Sequence, residues 1–340
     1  MKKLSLYIML AFAGLFMIAC GPEENEFVGL KVAEAESPVI IPGISAGQVG
    51  IIDLNKVVIS DKMDIEAFTV SGTTLPDGVE LTKAEIEFED GTILPATTDG
   101  RVSGLALSAY ITSIFGQLPE VRSVDGTVYL YATQNGAAVK IDTGEINFQV
   151  VPKAYNDYIW QAGNSNGWGT PAAPLFGADN DGKYVGFMYL DGEFKFRSHE
   201  DSWDAPDWGA GNTDGSLAEK GDNLSAEAGY YQVNADLAAM TYSLTPITTI
   251  GIVGPAQDGG WDADTDMTYN KETGAWEATI DLKADEMKFR ANDGWDINWG
   301  GTEDALTQGG ANIKIAEAGS YFIQLFAYCD GKAYCKITKK

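Results

Sequence analysis

The chain has 340 residues, with 23 Lys and Arg against 49 Asp and Glu, giving a formal net charge of −26. The length predicts two or three domains, and the negative charge argues against duplex DNA or an anionic lipid surface as partner. One histidine (His199) and three cysteines leave no basis for a histidine metal cluster, a four-cysteine zinc site or a disulfide framework.

Residues 1–20 read as a lipoprotein signal peptide. Lys2 and Lys3 precede an apolar run from Leu4 to Ala19, too short for a spanning helix but ordered like a secretory leader. The run ends Met17-Ile18-Ala19-Cys20, which resembles a bacterial lipobox and implies lipidation of Cys20 and anchoring in a membrane by acyl chains alone. Residues 21–37 form a tether. Its acidic start, Glu23-Glu24-Asn25-Glu26, resembles the signal that displays lipoproteins on the surface of Bacteroidetes-type outer membranes, although a solvated tether explains the composition equally well.

Residues 38–152 read as an immunoglobulin-like β-sandwich with one short helix. The clearest strands are Val57–Ile59, Ala67–Val70, Ala84–Phe88, Thr127–Ala132 and Glu145–Val151. Leu107, Tyr110, Ile111, Ile114, Phe115 and Leu118 recur at helical spacing. This region offers no catalytic constellation.

The remainder is an internal duplication. Glu193-Phe194-Lys195-Phe196-Arg197 matches Glu286-Met287-Lys288-Phe289-Arg290, and Gly-preceded Trp168 matches Trp261 at the same offset. Trp208-Gly209 then matches Trp299-Gly300, and Ala228-Gly229 matches Ala318-Gly319. Two tandem modules of 153–246 and 247–340 follow, each long enough for its own core and each expected to be a small β-sandwich like a carbohydrate-binding module.

All eight tryptophans lie in these modules, between Trp160 and Trp299. Strand alternation places Phe194 and Phe196 on the core face, with Lys195 and Arg197 on the other, and it repeats this for Met287 and Phe289 against Lys288 and Arg290. A loop with two tryptophans follows each cationic pair: Trp203 and Trp208, then Trp295 and Trp299. An indole covers the C–H face of a pyranose while cations and amides serve its hydroxyl rim, so the pattern points to a glycan site. The competing readings are a solvated strand face neutralised by carboxylates, and an indole of each close pair (Trp203, Trp295) plugging the end of its sandwich. Trp160 and Trp276 lie in strand-like stretches and are expected in the core.

Here the second module resembles the C-terminal glycan-binding module of SusE/SusF-type outer-membrane starch-binding lipoproteins. The resemblance rests on Gly251–Gly254, Gly260-Trp261-Asp262, Met267–Asn270, Lys288–Asp293, Trp295–Gly301 and Gly309–Ile313, in that order. It implies cell-surface binding of starch or a related glucan beside an outer-membrane uptake porin. It also implies Trp261, Lys288, Arg290, Trp295, Asn298 and Trp299 as the second site. Trp168, Lys195, Arg197, Trp203 and Trp208 form the first, which lacks an asparagine before its last tryptophan, so Asn212 or another polar residue would have to replace it.

Most carboxylates sit beside glycine in turns, so the expectation is a binding protein without catalytic residues or cofactors rather than a glycosidase. Asp262-Ala263-Asp264-Thr265-Asp266 has the start of a calcium loop but lacks the later glycine and glutamate, which excludes an EF-hand; no metal ligands are assigned, and a different calcium site near Asp262 stays open. Cys329 and Cys335 flank a turn, and a disulfide between them is expected outside the cytoplasm. The alternatives to starch binding are a surface assembly or adhesion protein with a protein partner, and a binder of a different glycan.

Overall fold

Turn residues cut the chain into short strands, and the alternation of side chains along each decides which face is buried. The computed structural model describes residues 37–340 apart from Thr73, Thr74, Pro76, Asn135, Gly136, Thr170 and Ala205. The leader, Cys20 and the tether to residue 36 lie outside the described residues. The described residues are almost all β, with one α-helix, and no helix among them is long and apolar enough to cross a membrane.

The first domain contains β1 (Ser45–Gln48), β2 (Ile51–Asp53), β3 (Met63–Glu66), β4 (Phe68–Ser71), β5 (Val79–Phe88), β6 (Ile93–Ala96), β7 (Arg101–Ser103), α1 (Gly104–Phe115), β8 (Arg122–Gln134) and β9 (Ala137–Val151). Its main sheet runs β2-β9-β8-β5-β6-β7-β3, with β2 and β9 parallel, and β1 pairs with β4 apart from it. Two expectations need correction. Val57–Ile59 is not a strand, because the backbone just after it serves the helix instead: the Ser60 carbonyl accepts from the Leu105 N–H. The helix also begins a turn earlier than its apolar spacing suggests, since the Ser103 hydroxyl accepts from the Ala106 N–H and caps it. Leu107, Tyr110 and Ile111 are buried, with Tyr110 stacked on Phe88, while Ile114 and Leu118 are exposed.

The first module contains β10 (Tyr158–Gly163), a 3₁₀ turn (Asn164–Asn166), β11 (Ala173–Phe176), β12 (Lys183–Arg197), β13 (Asp207–Ala210), β14 (Leu217–Glu219), β15 (Leu224–Asp236) and β16 (Thr241–Ile247). These form one seven-stranded sheet that folds over on β12. The first part of β12 pairs with β15, its register shifts between Leu190 and Gly192, and its last residues pair with β10 and β13. A bulge of this kind bends a strand and lets it serve both layers of a sandwich.

The second module contains β17 (Ile250–Gly254), β18 (Gly260–Asp266), β19 (Thr268–Asn270), β20 (Ala275–Leu282), β21 (Glu286–Ala291), β22 (Asn298–Thr302), β23 (Ala305–Gln308), β24 (Ile313–Lys314), β25 (Gly319–Phe326) and β26 (Tyr334–Lys339). Where the first module bends β12, the second breaks the strand into β20 and β21, and β15 likewise becomes β24 and β25. The result is two sheets, β18-β17-β21-β22-β23 with β24 on β21, and β19-β20-β25-β26.

Each module has a core, but they are not independent. Phe187 and Tyr230 of the first module belong to the core of the second, where Phe187 meets Trp299 edge-on at 4.9 Å. The Phe187 N–H also donates to the Tyr328 carbonyl at 2.6 Å. Asn292 ties the junction by accepting from the Thr248 N–H at 2.8 Å and donating to the Pro246 carbonyl.

Candidate functional site

Phe194, Phe196, Met287 and Phe289 point into the cores, as alternation requires. The cations opposite them are not a solvated face: Arg197 is 1% exposed, Arg290 5% and Lys288 9%. The tryptophan loops cover them.

In the second module the Arg290 guanidinium grips Asp264 through Nε, at 2.7 and 2.9 Å, and through Nη2. Its Nη1 reaches the Trp261 carbonyl at 3.5 Å, and its plane lies 4.9 Å from the Trp295 ring centre. The bonds to Asp264 hold the arginine's pKa above its ordinary value. In the first module Arg197 donates to the Gly169 carbonyl at 3.0 Å, beside Trp168, and to the Glu200 carbonyl, and it lies 4.9 Å from the Trp203 ring centre. Burial pulls its pKa down, against the pull of Asp201 and Glu200. Each arginine therefore staples two loops together and carries one indole on its face.

The stapled loops bring two indoles side by side. Trp168 and Trp203 have ring centres 6.2 Å apart, tilted by 39°; Trp261 and Trp295 are 5.9 Å apart, tilted by 50°. Trp203, Trp261 and Trp295 are exposed, the last by 46%, and Trp168 is half-buried. Trp168 adopts a left-handed backbone (φ 62°), costly for a bulky side chain, and is held there by its N–H on the Gly163 carbonyl and its indole N–H on Asn164 Oδ1, both at 2.9 Å. Asn292 and Asp293, at φ 53° and 54°, turn the chain toward Trp295.

The lysines differ. Lys195 forms an ion pair with Asp207. Lys288 makes no ion pair or hydrogen bond among the described residues, and burial pushes its pKa down. Strand register explains the difference, because Asp207 stands opposite Arg197 where Asn298 stands opposite Arg290. The residue standing in for the missing asparagine of the first module is thus Asp207, and Asn212 is exposed beyond β13. Asn298 donates to the Trp295 carbonyl at 2.8 Å, leaving its buried Oδ1 without a partner.

Trp208 and Trp299 are corrected. They pair with Phe196 and Phe289, on the core side of their strands. Trp299 is 0% exposed and Trp208 is half-buried against the first core, so neither is a platform. The repeated glycine after each has a packing reason: a Cβ on Gly209 would lie 2.1 Å from the Asp222 carbonyl oxygen, and one on Gly300 2.2 Å from that of Ala311. Trp203 and Trp295, for which plugging the end of a sandwich is the competing reading, are exposed, as a platform requires. Trp276 is in the core, whereas Trp160 is half-buried on a cleft wall.

Two further readings are settled by the strand pairing. Asp262–Asp266 belongs to strand β18 rather than a loop wound around an ion, and both Asp264 oxygens are taken by Arg290. Cys329 and Cys335 are free and buried, with thiols pushed up to about 12 by burial. Strand pairing ends at Phe326 and Tyr334, and Cys329 lies in the turn beyond, while Cys335 faces Leu325. Sequence reasoning missed Asp207 and Asp264 as the acid partners. It also missed an exchange beside the arginine: Gly251 opposite Arg290 makes room for Asp264, and a Cβ there would lie 2.5 Å from that of Asp264. Trp160 stands opposite Arg197, and by register Ala172 falls where the second module has Asp264. Large and small residues are swapped between facing strands, a signal present in the aligned copies.

Each module thus presents two tilted indoles above a buried arginine, with a lysine alongside that is ion-paired in the first module and without an ion pair among the described residues in the second. No protein-family model matches the chain, and no curated protein does.

Proposed function

We propose that this is a non-catalytic, cell-surface glycan-binding lipoprotein, carrying an immunoglobulin-like spacer and two carbohydrate-binding-module-like sandwiches. The observation that carries the reading is the duplicated clamp: in both modules an arginine sits 4.9 Å from one indole and fixes the backbone beside the other. Two solvent-facing indoles held at a fixed tilt match the apolar faces of successive sugar rings, and an ammonium donates to their hydroxyls. The resemblance to SusE/SusF-type lipoproteins supports starch or a related glucan as ligand, an uptake porin as neighbour, and lipidation at Cys20 of the outer-membrane anchor.

Retention on insoluble starch tests this. Trp203→Ala with Trp295→Ala is expected to abolish retention while leaving the thermal transition in place; unchanged retention overturns the reading and leaves a protein-binding surface as its successor. A different glycan is favoured by one observation, the absence of a counter-charge at Lys288, which suits an acidic sugar. Binding of a uronic-acid polymer but not starch on a glycan array would establish that version.

A further inference from the structure

Between the two modules lies a cleft of about 730 Å³, within the roughly 300–1,000 Å³ of small-molecule sites. One wall carries Trp160 and Tyr189 from the first module and the other Tyr269 and Lys271 from the second. Tyr189 and Tyr269 stack at 5.6 Å and 15°, and the Lys271 ammonium lies 4.1 Å from the Tyr189 ring centre and bonds its hydroxyl. Polar groups interrupt these rings. Asn164, Asp191, Glu200 and Lys332 stand among them in the lining.

The cleft adjoins the first tryptophan pair through residues bonded to it. Asn164, on its rim, accepts from the Trp168 indole, and Glu200, also on its rim, accepts from Arg197 through its carbonyl. Trp160 is the cross-strand partner of Arg197, so both project from the same face of the sheet. Aromatic surface therefore runs from Trp203 and Trp168, past Arg197 and Trp160, to Tyr189 and Tyr269. The second pair has no such extension through β17, because Gly251 stands where Trp160 does.

We infer that the inter-module cleft is a binding site for further units of an oligosaccharide whose first units lie on Trp168 and Trp203. This rests on the glycan reading of the first module. Rings alternating with amide, ammonium and carboxylate groups fit a chain of neutral sugars, each with an apolar face and a hydroxyl rim, better than a lipid tail or a peptide of one charge. The shared core holds both walls in place, so the cleft exists only because the modules are docked.

Calorimetric titration of the full chain carrying Trp261→Ala and Trp295→Ala isolates the first site. Maltoheptaose is expected to bind about tenfold more tightly than maltotriose, the worth of about 1.4 kcal/mol of added contacts. Tyr189→Ala, which removes a wall, and Asp191→Trp, which fills the rim from an exposed bulge, should both erase that gain and leave maltotriose affinity unchanged. A length-dependent gain that survives in both variants overturns the cleft site, as does equal affinity for the two sugars before either change. Failure of both sugars to bind the parent chain instead removes the glycan reading of the first module, and the cleft proposal with it.

Discussion

In the first module the carboxylate beside the site belongs to the lysine, as Lys195–Asp207; in the second it belongs to the arginine, as Arg290–Asp264. Each module thereby leaves a different cation without an acid partner: Arg197, whose Nη2 donates to two carbonyls while its buried Nε has no partner among the described residues, and Lys288, whose ammonium has none there at all. The aromatic geometry is nearly the same in both. Either solution holds a loop, because a carbonyl and a carboxylate both accept from the guanidinium, but the carboxylate is the stronger acceptor and leaves Arg290 the better satisfied of the two. What changes is the lysine, blocked in one copy and available in the other.

The largest effect expected is on the second clamp. Asp264→Ala would leave Arg290 buried without its partner, costing about 3–5 kcal/mol. The urea midpoint should fall and the Trp295 loop should become protease-sensitive. Nothing comparable is expected from Ala172→Ser at the matching place in the first module, where Arg197 does not use a carboxylate. A large loss there would mean that the two clamps are more alike than their hydrogen bonds.

Next comes the tryptophan that precedes the repeated glycine. Trp299→Ala empties a fully buried site that also meets Phe187, at a cost of roughly 3–5 kcal/mol, whereas Trp208→Ala, half-buried, should cost less. Neither should alter affinity measured well below its unfolding transition, in contrast to Trp203→Ala and Trp295→Ala. Chemical denaturation read beside calorimetric binding separates the two classes.

The strand content, the duplication and the cationic strand were legible in the residues because each depends on local alternation or on a fixed offset. Choosing the platform indole was not, because it turns on register. Trp208 and Trp299 follow Asp207 and Asn298 by one residue and so face the other way, and only the pairing with Phe196 and Phe289 reveals it. The loop before them is two residues longer in the first copy, which hides the equivalence of Asp207 and Asn298. Asp262–Asp266 was ambiguous because alternating aspartates suit both a cation loop and one face of a strand. Gly251, opposite Arg290, was the clue to the second. The cleft could not be foreseen at all, since its walls meet only when Phe187 docks into the neighbouring core.

Exchanging the acid tests whether a lysine without an acid partner adds affinity to its site. Asp207→Asn should free Lys195 and strengthen the first site, and Asn298→Asp should occupy Lys288 and weaken the second, each by about three- to tenfold, the worth of one hydrogen bond of about 1 kcal/mol. Isolated-site affinities, with the other tryptophan pair removed, would read this directly. Unchanged affinities would assign binding to the indoles alone.

The smallest effect expected distinguishes the lysines by sign. Lys195→Met strands Asp207 and should destabilise the chain at neutral pH, whereas Lys288→Met removes a buried cation without a counter-charge and should stabilise it. The pH dependence follows from the lowered pKa of Lys288. Between that value and the unfolded value near 10.5, the unfolded chain holds a proton that the folded chain has released, so Lys288 makes stability rise with pH across that window. Below it both states are protonated and the burial cost is present in full; above it the cost has gone. The advantage of Lys288→Met over the parent chain should therefore be greatest at neutral pH and shrink as pH climbs through the window. Urea titrations of the pair at a series of alkaline pH values measure it, and an advantage that grows with pH would mean that Lys288 has an acid partner when folded, as Lys195 does.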